Sequence, residues 1–439
     1  ETYDSLANIA QGSPQLAEWL DIGDSWRKVK TAGVDGYDLQ VLKLTNRLIP
    51  GPKPHVFIMA AIHARELATA EVATRFAEQL VARYGVDPDV TWLLDYNEIH
   101  ILAQSNPDGR KMAETDAVNP NPYSENGYWR KNVNNDLCPA GRYGVDLNRN
   151  SSFKWGACEA GSCSSADPCE LTYRGAAAAS EPETLAIETY IRNLFPDVRG
   201  PANGDAAPSD TQGVMISLHS YSPYVLYPWG WSPQPAPNQV GLRTLARKFG
   251  YFTGYDACQS SADNCLYMTD GTTDDFAYGE LGVPAYTFEL GTSFFEDCSY
   301  FETSILSQTI DALTYAVKVA VNPYQMPSGP DVVKASATPI LAVPGQPVIL
   351  RVDLDDGRTS VSPYYGTEPI QAIAAATYTL DAPGWITGTA PGVGLHPLGI
   401  FDSPRETAAA TIATTGWAKG RHTIFVQGAD AGGNVGPAT

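Results

Sequence analysis

The stretch VFIMAAIHAREL, residues 56–67, decides how the rest of the chain is interpreted. Its first seven residues are apolar without interruption, which is typical of a strand buried on both faces. From Glu66 onward, apolar residues recur at helical spacing as far as Gly85. His63 and Glu66 therefore mark a strand-to-helix junction, at the edge of an open α/β sheet where ligands bind.

His63 and Glu66 are the first candidate metal ligands. Residues three apart on a first helical turn share a face, so both side chains can contact one ion. Zinc accepts imidazole nitrogen together with carboxylate oxygen. The pair alone is weak support, because solvated helix residues often show the same spacing by chance.

Two further apolar runs end in ionisable residues. Residues 214–218 are predicted to form a buried strand that ends in His219, and residues 285–288 a strand that ends in Glu289. Three buried strands thus end in polar groups, as a site at the carboxyl edge of a sheet requires.

The remaining pattern predicts further elements around these strands. Residues 110–180 lack periodicity, which favours a functional irregular region. Asn106-Pro107-Asp108-Gly109 is predicted to be a turn, and Ser180 to be the N-cap of a helix with Pro182 in its first turn and Glu183 completing a capping box. The other predicted elements are a helix at 13–20, strands at 37–44 and 98–103, and a helix at 303–321.

Beyond Pro323 the composition changes. Residues 327–330 indicate a linker, and short alternating runs such as 348–354 and 422–428 follow, without helical periodicity. This pattern predicts an all-β sandwich of immunoglobulin-like size. The expected domains are a catalytic domain at 1–324 and the sandwich at 325–439.

Bulk composition excludes several function classes. A net charge of −20 argues against nucleic-acid binding, and no apolar run approaches membrane-spanning length. Seven cysteines favour an oxidising compartment, so a secreted, extracellular or periplasmic protein is expected. Free thiols or a cysteine zinc site are the alternatives, but the spacing does not favour a zinc site. No signal-like segment begins at Glu1, so the numbering is expected to describe a processed or trimmed form.

The six histidines sort by position. His396 and His422 fall in the β region, and His55 and His100 lie within or at the start of strands, where a structural role is expected. This leaves His63 and His219. Together with Glu66 they form a set that keeps one tetrahedral position open, as a catalytic zinc requires. Glu289 is the expected general base; alone, it would pass for a solvated residue at a strand end.

Arginines in the irregular region supply candidate anion-binding groups. Arg130 lies in the segment Trp-Arg-Lys-Asn at 129–132, and Arg149 lies in Val-Asp-Leu-Asn-Arg-Asn at 145–150. Arginine suits bidentate binding of a carboxylate.

Taken in order, these motifs resemble the zinc carboxypeptidases of the pancreatic carboxypeptidase A/B type, over about residues 2–322. The matching segments are His63-Ala64-Arg65-Glu66, residues 106–109, 129–132 and 146–150, His219-Ser220-Tyr221-Ser222, Leu266-Tyr267 before Gly271, and Phe288-Glu289-Leu290. The resemblance implies a mixed, mostly parallel central sheet flanked by helices, and an exopeptidase that removes single C-terminal amino acids from peptides and proteins.

The resemblance also implies the chemistry of the site. One zinc ion is bound by His63, Glu66 and His219, the ligand set known for this family. Glu289 activates the zinc-bound water and returns the proton to the leaving amine. Arg130 stabilises the developing oxyanion, an interaction that can contribute about 3 kcal/mol.

Substrate contacts follow from the same resemblance. Asn148 and Arg149 bind the substrate's terminal carboxylate, Tyr267 caps the bound substrate, and Arg65 contacts it further upstream. Asp146 and Asn106 support the metal ligands. 

The residue seven positions after the capping tyrosine is Asp274, at the base of the specificity pocket in this family. An aspartate there goes with a preference for C-terminal Lys or Arg, since a buried carboxylate needs a cationic partner. The alternatives are that Asp274 or Asp275 faces solvent or binds an ion, and that specificity is hydrophobic or dual.

Cysteine pairing is partly implied by the family, in which Cys138 and Cys169 match a disulfide position. Sequence separation makes the pairs Cys158–Cys163 and Cys258–Cys265 plausible. Cys298 would then be left over.

Three questions stay open at this level. The segment 429–436 resembles the last strand of bacterial immunoglobulin-like domains, and that domain is expected to bind a surface or glycan, to act as a spacer, or to be a remnant of secretion. A zinc amidohydrolase acting on cell-wall peptides or an acylated amino acid is the rival enzyme; the intact Asn148-Arg149 pair and Tyr267 argue against it. A binding protein without activity is the other rival. Such a protein would usually lack a metal ligand or Glu289, and all of these residues are present here. A monomer is expected.

Overall fold

An eight-stranded sheet organises the first three quarters of the chain. The computed structural model describes residues 1–118, 129–138, 142–161, 163–362 and 365–439. The strands of this sheet are β1 Ala17–Asp24, β2 Asp38–Leu44, β3 His55–Ala60, β4 Glu98–Leu102, β5 Val214–His219, β6 Tyr224–Tyr227, β7 Asp256–Gln259 and β8 Ala285–Glu289. The helices are α1 Thr2–Gly12, α2 Trp26–Lys30, α3 Leu67–Arg83, α4 Pro88–Tyr96, α5 Pro107–Val118, α6 Pro182–Leu194, α7 Gln239–Thr253, α8 Thr273–Phe276, α9 Cys298–Tyr300 and α10 Leu306–Val319.

The strand order is β1-β2-β4-β3-β5-β8-β6-β7. Strands β4, β3, β5 and β8 are consecutive neighbours and run parallel, whereas β1, β2 and β4 pair antiparallel, as do β6 and β8. All six residues of β5 are buried, and four of them are apolar, as expected for a strand covered on both faces. The predicted mixed sheet with flanking helices is confirmed, and the carboxyl ends of β3, β5 and β8 lie side by side.

Two predicted elements near the amino end of the chain are wrong. Residues 13–20 are not a helix: α1 ends at Gly12, and Ala17 begins β1, which pairs along its length with β2. Residues 106–109 are not an isolated turn. The Asn106 side chain accepts a hydrogen bond from the Gly109 amide at 3.0 Å, and Pro107 opens α5. Pairing with a neighbouring strand and capping of a helix decided these two segments.

The predicted helix after residue 180 exists, but its cap differs. The N-cap residue is Glu181, and the Ser180 hydroxyl donates to the Glu181 carboxylate at 2.9 Å. Glu183 accepts a hydrogen bond from the Trp26 amide at 2.7 Å, so it does not close a capping box. Contacts distant in sequence therefore replace the local cap.

The region predicted to be irregular is partly helical, because α5 continues to Val118. Residues 119–128, 139–141 and 162 of that region lie outside the described residues. Within 129–138, 142–161 and 163–180, the one helical turn that the structure records is the 3₁₀ turn Leu147–Arg149. The predicted helix at 303–321 corresponds to α10 and the π-helical turn Phe301–Ile305 directly before it.

The last quarter of the chain is all-β in its described residues, as predicted. Its strands are β9 Asp331–Thr338, β10 Val348–Asp355, β11 Ile373–Leu380, β12 Val393–Gly394, β13 His396–Pro397, β14 Arg405–Ile412 and β15 Ile424–Asp430. They form a four-stranded sheet, β13-β14-β10-β9, and a three-stranded sheet, β12-β11-β15. Leu350, Val352 and Val426 belong to the buried cluster of this β module.

The β module, defined here as residues 331–439, packs firmly on the large sheet's helices. The ring centroid of Trp92, on α4, lies 6.0 Å from the ring centroid of Trp385 and 6.2 Å from that of Phe425. Tyr96 contacts Phe425 as well, at 6.1 Å. Phe425 is buried in the same apolar cluster as the central strands, so the main core extends into the β module.

Buried ion pairs complete this interface. Glu368 of the β module binds Arg247 and Arg243 of α7, and its second oxygen accepts a hydrogen bond from the Thr244 hydroxyl at 3.0 Å. Arg247 also donates to the Tyr365 carbonyl. Both Glu368 and Arg247 are buried, so the charges depend on each other.

We expect Glu368→Ala to lower the free energy of unfolding by about 3–5 kcal/mol, because it leaves the buried Arg247 charge without its partner. Urea unfolding measures this difference. The control is Glu302→Ala, which removes an exposed carboxylate 3.6 Å from Arg75 and is expected to change stability by about 1 kcal/mol or less. Equal losses in the two variants would contradict the prediction.

Candidate active site

A tight turn after β3 brings His63 and Glu66 together. The chain leaves the strand through Ala61, whose φ is +54°, a strained value for a residue with a Cβ. The Ala61 amide donates to the Thr69 hydroxyl, which in turn donates to the Glu66 carbonyl. Glu66 is the N-cap residue of α3 and its amide donates to the His63 carbonyl at 3.2 Å. The predicted proximity is therefore present, but a turn produces it and not a shared helix face.

Three donor atoms converge at this point. His63 Nδ1 lies 2.8 Å from Glu66 Oε1, and His219 Nδ1 lies 3.2 Å from Glu66 Oε2. The two Nδ1 atoms are 3.1 Å apart. All three residues are buried, and such a cluster of electron-rich atoms is stable only with a cation or a proton between them. Two imidazoles and one carboxylate are a donor set that zinc accepts.

The far nitrogen of each imidazole is held in place. His63 Nε2 lies 3.1 Å from Asp146 Oδ1, and His219 Nε2 lies 3.0 Å from the Ser217 hydroxyl. Partners of this kind orient metal-binding histidines so that the other nitrogen faces the ion. Sequence reasoning missed Ser217. The signal was its position two residues before His219 on the same strand, and hence on the same face.

Burial alone would raise the pKa of the Glu66 carboxyl, but the adjacent His63 and His219 rings hold it well below its usual range. Glu66 is therefore ionised, as a metal ligand must be.

Asp146 links three parts of the site. Besides His63, its carboxylate accepts hydrogen bonds from Arg130 Nη2 at 3.0 Å and Nε at 3.1 Å. It also accepts one from the Asn148 amide at 3.1 Å, which caps the 3₁₀ turn that carries Arg149. Burial opposes ionisation of Asp146, but Arg130 outweighs it and holds the pKa well below its usual range.

Glu289 ends β8, directly beside His219 of β5. The two residues are partners in the parallel ladder, and the Leu290 amide donates to the His219 carbonyl at 2.8 Å. Burial raises the pKa of Glu289 to about 7, against the opposing influence of His219, while Glu66 adds to the rise. A carboxyl group with a pKa near neutrality is suited to proton transfer at physiological pH.

Asn148 and Arg149 lie on the turn capped by Asp146. The Asn148 side-chain oxygen accepts hydrogen bonds from the amide and hydroxyl of Thr273, at 3.1 and 3.3 Å. Arg149 is 2% exposed, and its Nη2 lies 3.5 Å from the hydroxyl of Tyr267. Its Nε is buried and has no hydrogen-bond partner in the described part of the chain, which leaves a donor available to an anion.

The two aspartates of α8 have different surroundings. Asp275 is fully buried and accepts hydrogen bonds from the amides of Gly230 and Trp231, each at 3.0 Å. Burial, with the neighbouring Asp274 charge, raises the pKa of Asp275 well above its usual value. Asp274 is 5% exposed and accepts a hydrogen bond from the Thr287 hydroxyl at 3.3 Å. The alternative in which either residue faces solvent is therefore wrong.

The remaining candidates lie at the rim and behind the site. The guanidinium carbon of Arg65 lies 4.1 Å from the ring centroid of Phe294, which also contacts Tyr221. Tyr267 is 53% exposed. Asn106 donates to the Ile62 carbonyl at 3.2 Å, so it contacts the turn that carries His63 and no ligand side chain.

Three disulfides join six of the seven cysteines. The pairs are Cys138–Cys169, Cys158–Cys163 and Cys258–Cys265, and Cys298 is an exposed free thiol. The pairing expected from the sequence is confirmed. No helix in the described residues has the length and apolar character needed to cross a membrane.

Comparison with known proteins agrees with this arrangement. Residues 2–305 match the family model described as zinc carboxypeptidase. Carboxypeptidase A1 of Bos taurus is 30% identical over 299 residues, which cover 66% of this chain and 61% of the relative. Carboxypeptidase A5 of Homo sapiens is 30% identical over 297 residues, covering 66% and 58%.

Similarity of fold extends to a crystal structure of thrombin-activatable fibrinolysis inhibitor, with a TM-score of 0.59 and 24% identity over 73% of each chain. The chain spans about three fifths of the length of the curated relatives that it matches.

Proposed function

The chain belongs to the zinc carboxypeptidase family, and from that premise we propose that it is a zinc-dependent exopeptidase that removes single C-terminal amino acids from peptides and proteins. One observation carries the proposal: the convergent donors of His63, Glu66 and His219 share a sheet edge with Glu289. The buried Arg149 anchor is tied to the same group through Asp146.

His63, Glu66 and His219 would hold the zinc ion, since their donor set and mutual distances suit it. When bound, zinc supplies Lewis acidity to the scissile carbonyl and makes water easier to deprotonate. 

The chain's own residues move the proton and balance the charge. Glu289 accepts the proton of the attacking water at its carboxylate and then delivers it to the leaving amine. The Arg130 guanidinium, fixed by two hydrogen bonds to Asp146, stabilises the negative charge that develops on the carbonyl oxygen.

Substrate binding at the terminal carboxylate makes the proposed enzyme an exopeptidase. Arg149 and Asn148 bind this carboxylate, and the buried Arg149 Nε without a partner among the described residues supports the assignment. Tyr267 covers the bound residue, and Arg65, held against Phe294, contacts the substrate upstream.

We further propose a preference for C-terminal Lys or Arg. Asp274 is buried, and its carboxylate accepts hydrogen bonds from the Thr287 hydroxyl and the Asp275 amide, with no cationic side chain paired to it among the described residues. A substrate cation would satisfy this carboxylate. The alternative is hydrophobic or dual specificity.

Asp274→Asn is expected to lower the ratio of kcat/KM for a peptide ending in Arg to that for one ending in Phe by about 30-fold or more, since truncating one member of a buried charge pair removes about 2 kcal/mol or more. The control is Asp263→Asn, at an exposed position. The preference is refuted if the unsubstituted chain cleaves the Phe peptide at least as fast as the Arg peptide.

A panel of peptides that differ only at the last residue tests the activity itself. We expect release of one free amino acid per cleavage, abolished by a zinc chelator and restored by zinc. Cleavage only of cell-wall peptides or acylated amino acids would favour the rival amidohydrolase. Peptide binding without release would favour a binding protein.

For the whole protein we propose a secreted, extracellular or periplasmic monomer, in line with its three disulfides. The β module would be immunoglobulin-like and bind a surface or glycan, or act as a spacer.

A further inference from the structure

A second cluster of side chains that could hold a metal ion lies at the opposite edge of the central sheet. His55 opens β3 and Glu98 opens β4, and the two residues are partners in the parallel ladder. His100 follows Glu98 by two positions, so its side chain projects from the same face. The amino ends of these strands thus bring two imidazoles and a carboxylate together. His63 follows the opposite, carboxyl end of β3.

The distances fit a shared ion better than direct hydrogen bonds. His55 Nδ1 and His100 Nε2 each lie 3.6 Å from Glu98 Oε2, which is too long for a good hydrogen bond. Both nitrogens are buried, and neither has a hydrogen-bond partner in the described part of the chain. His100 is 3% exposed. Leaving two such atoms unsatisfied is unfavourable, and an ion between the three groups would satisfy them.

Tyr190 orients one of the two rings. His100 Nδ1 lies 2.7 Å from the Tyr190 hydroxyl. When Nδ1–H donates to that oxygen, the lone pair of Nε2 faces Glu98, as in histidines that bind metals.

The protonation states favour ligation at neutral pH. Burial lowers the pKa of His55 to about 4 and also lowers that of His100. The neighbouring His100 and Lys43 side chains lower the pKa of Glu98 to about 2, despite its partial burial. Both imidazoles are therefore neutral with a free lone pair, while the carboxylate is ionised.

Lys43 competes for the same oxygen. Its Nζ lies 2.8 Å from Glu98 Oε2, where it balances the carboxylate charge in the absence of an ion. A metal ion at the cluster must share or displace this contact, so Lys43 lowers the affinity of the site.

The cluster is reachable from solvent. His55 is partly exposed and lines a surface cavity of about 390 Å³, together with Pro52, Phe195 and Gln212 among others. This cavity gives the His55 side of the cluster contact with solvent.

We propose that His55, Glu98 and His100 form a second binding site for a divalent transition-metal ion, such as zinc, copper or nickel, which accepts imidazole and carboxylate together. The site lies at the amino ends of β3 and β4, and it is independent of the proposed peptidase activity. This proposal differs from the structural role that the sequence leads us to expect for His55 and His100.

Zinc binding to the protein already holding one zinc equivalent tests the site, by calorimetry and by metal content after gel filtration. We expect a second equivalent in the unsubstituted chain, and none in the double variant His55→Gln, His100→Gln. The matched control is His396→Gln, an exposed histidine of the β module, which is expected to keep the second equivalent.

Two single variants test the geometry even if the double variant does not fold. Tyr190→Phe removes only the orienting hydroxyl and is expected to weaken the second equivalent about 10- to 100-fold. Lys43→Gln removes the competing charge and is expected to tighten it. Absence of a second equivalent in the unsubstituted chain, or its undiminished binding in both the double variant and Tyr190→Phe, would overturn the proposal.

Discussion

Glu289→Gln is expected to lower kcat about 10²- to 10⁴-fold, the usual contribution of a positioned acid or base, while one zinc ion per chain remains bound. Glutamine has nearly the same shape as glutamate but cannot accept the proton of the attacking water. Glu289 lies beside His219 in the ladder but is absent from the three converging donors, so metal binding should not depend on it.

Steady-state cleavage of a peptide substrate and metal content by mass spectrometry measure the two quantities together. Glu302→Gln, on the exposed surface, serves as the control and should match the unsubstituted chain in both. A variant that retains more than about a tenth of the activity would remove Glu289 from the proton transfer, given the size of such effects. Loss of zinc would place it among the ligands instead.

Asp146→Asn is expected to affect metal and substrate together. The substitution keeps the side chain's size but removes the charge that fixes His63, Arg130 and the turn carrying Arg149. Loss of such a supporting partner typically weakens metal affinity about 10- to 100-fold. Misplacing Arg130 would remove up to about 3 kcal/mol of transition-state stabilisation as well, so kcat/KM should fall even at saturating zinc.

Zinc affinity from competition with a chelator, and kcat/KM at saturating zinc, separate the two effects. The control is Asp136→Asn, which removes an exposed carboxylate paired with Lys30. If zinc affinity fell but kcat/KM recovered fully with excess zinc, Asp146 would support the metal alone. Normal zinc affinity would contradict its role behind His63.

The central strands could be predicted because each is buried on both faces. Strands β3 and β5 are almost entirely apolar for that reason, and an ionisable residue at the end of such a run is conspicuous. At the edge of the sheet, β1 is partly exposed along most of its length and has no unbroken apolar run, so its first residues are predicted to belong to a helix. At an edge, pairing with a neighbour decides the conformation more than local composition does.

The candidate ligands could be predicted, but most of the residues that orient them could not. His63 and His219 follow recognisable apolar runs, whereas the contact of Thr273 with Asn148 joins residues 125 positions apart. Ser180 is not the N-cap for a similar reason. Its hydroxyl donates to the Glu181 carboxylate, and Glu183 accepts a hydrogen bond from the distant Trp26 amide. Hydrogen bonds between distant segments leave no periodic signal in the sequence.

The contact between Phe425 and Trp92 also limits how the chain can be shortened. A fragment that stopped at residue 324 would keep every candidate ligand. However, it would expose the aromatic side chains of α4 to solvent and remove Glu368, the ion-pair partner of Arg247 on α7. Such a fragment would tend to aggregate, because it exposes a large apolar patch. We therefore expect that a stable, non-aggregating form of the protein must include β15, which carries Phe425.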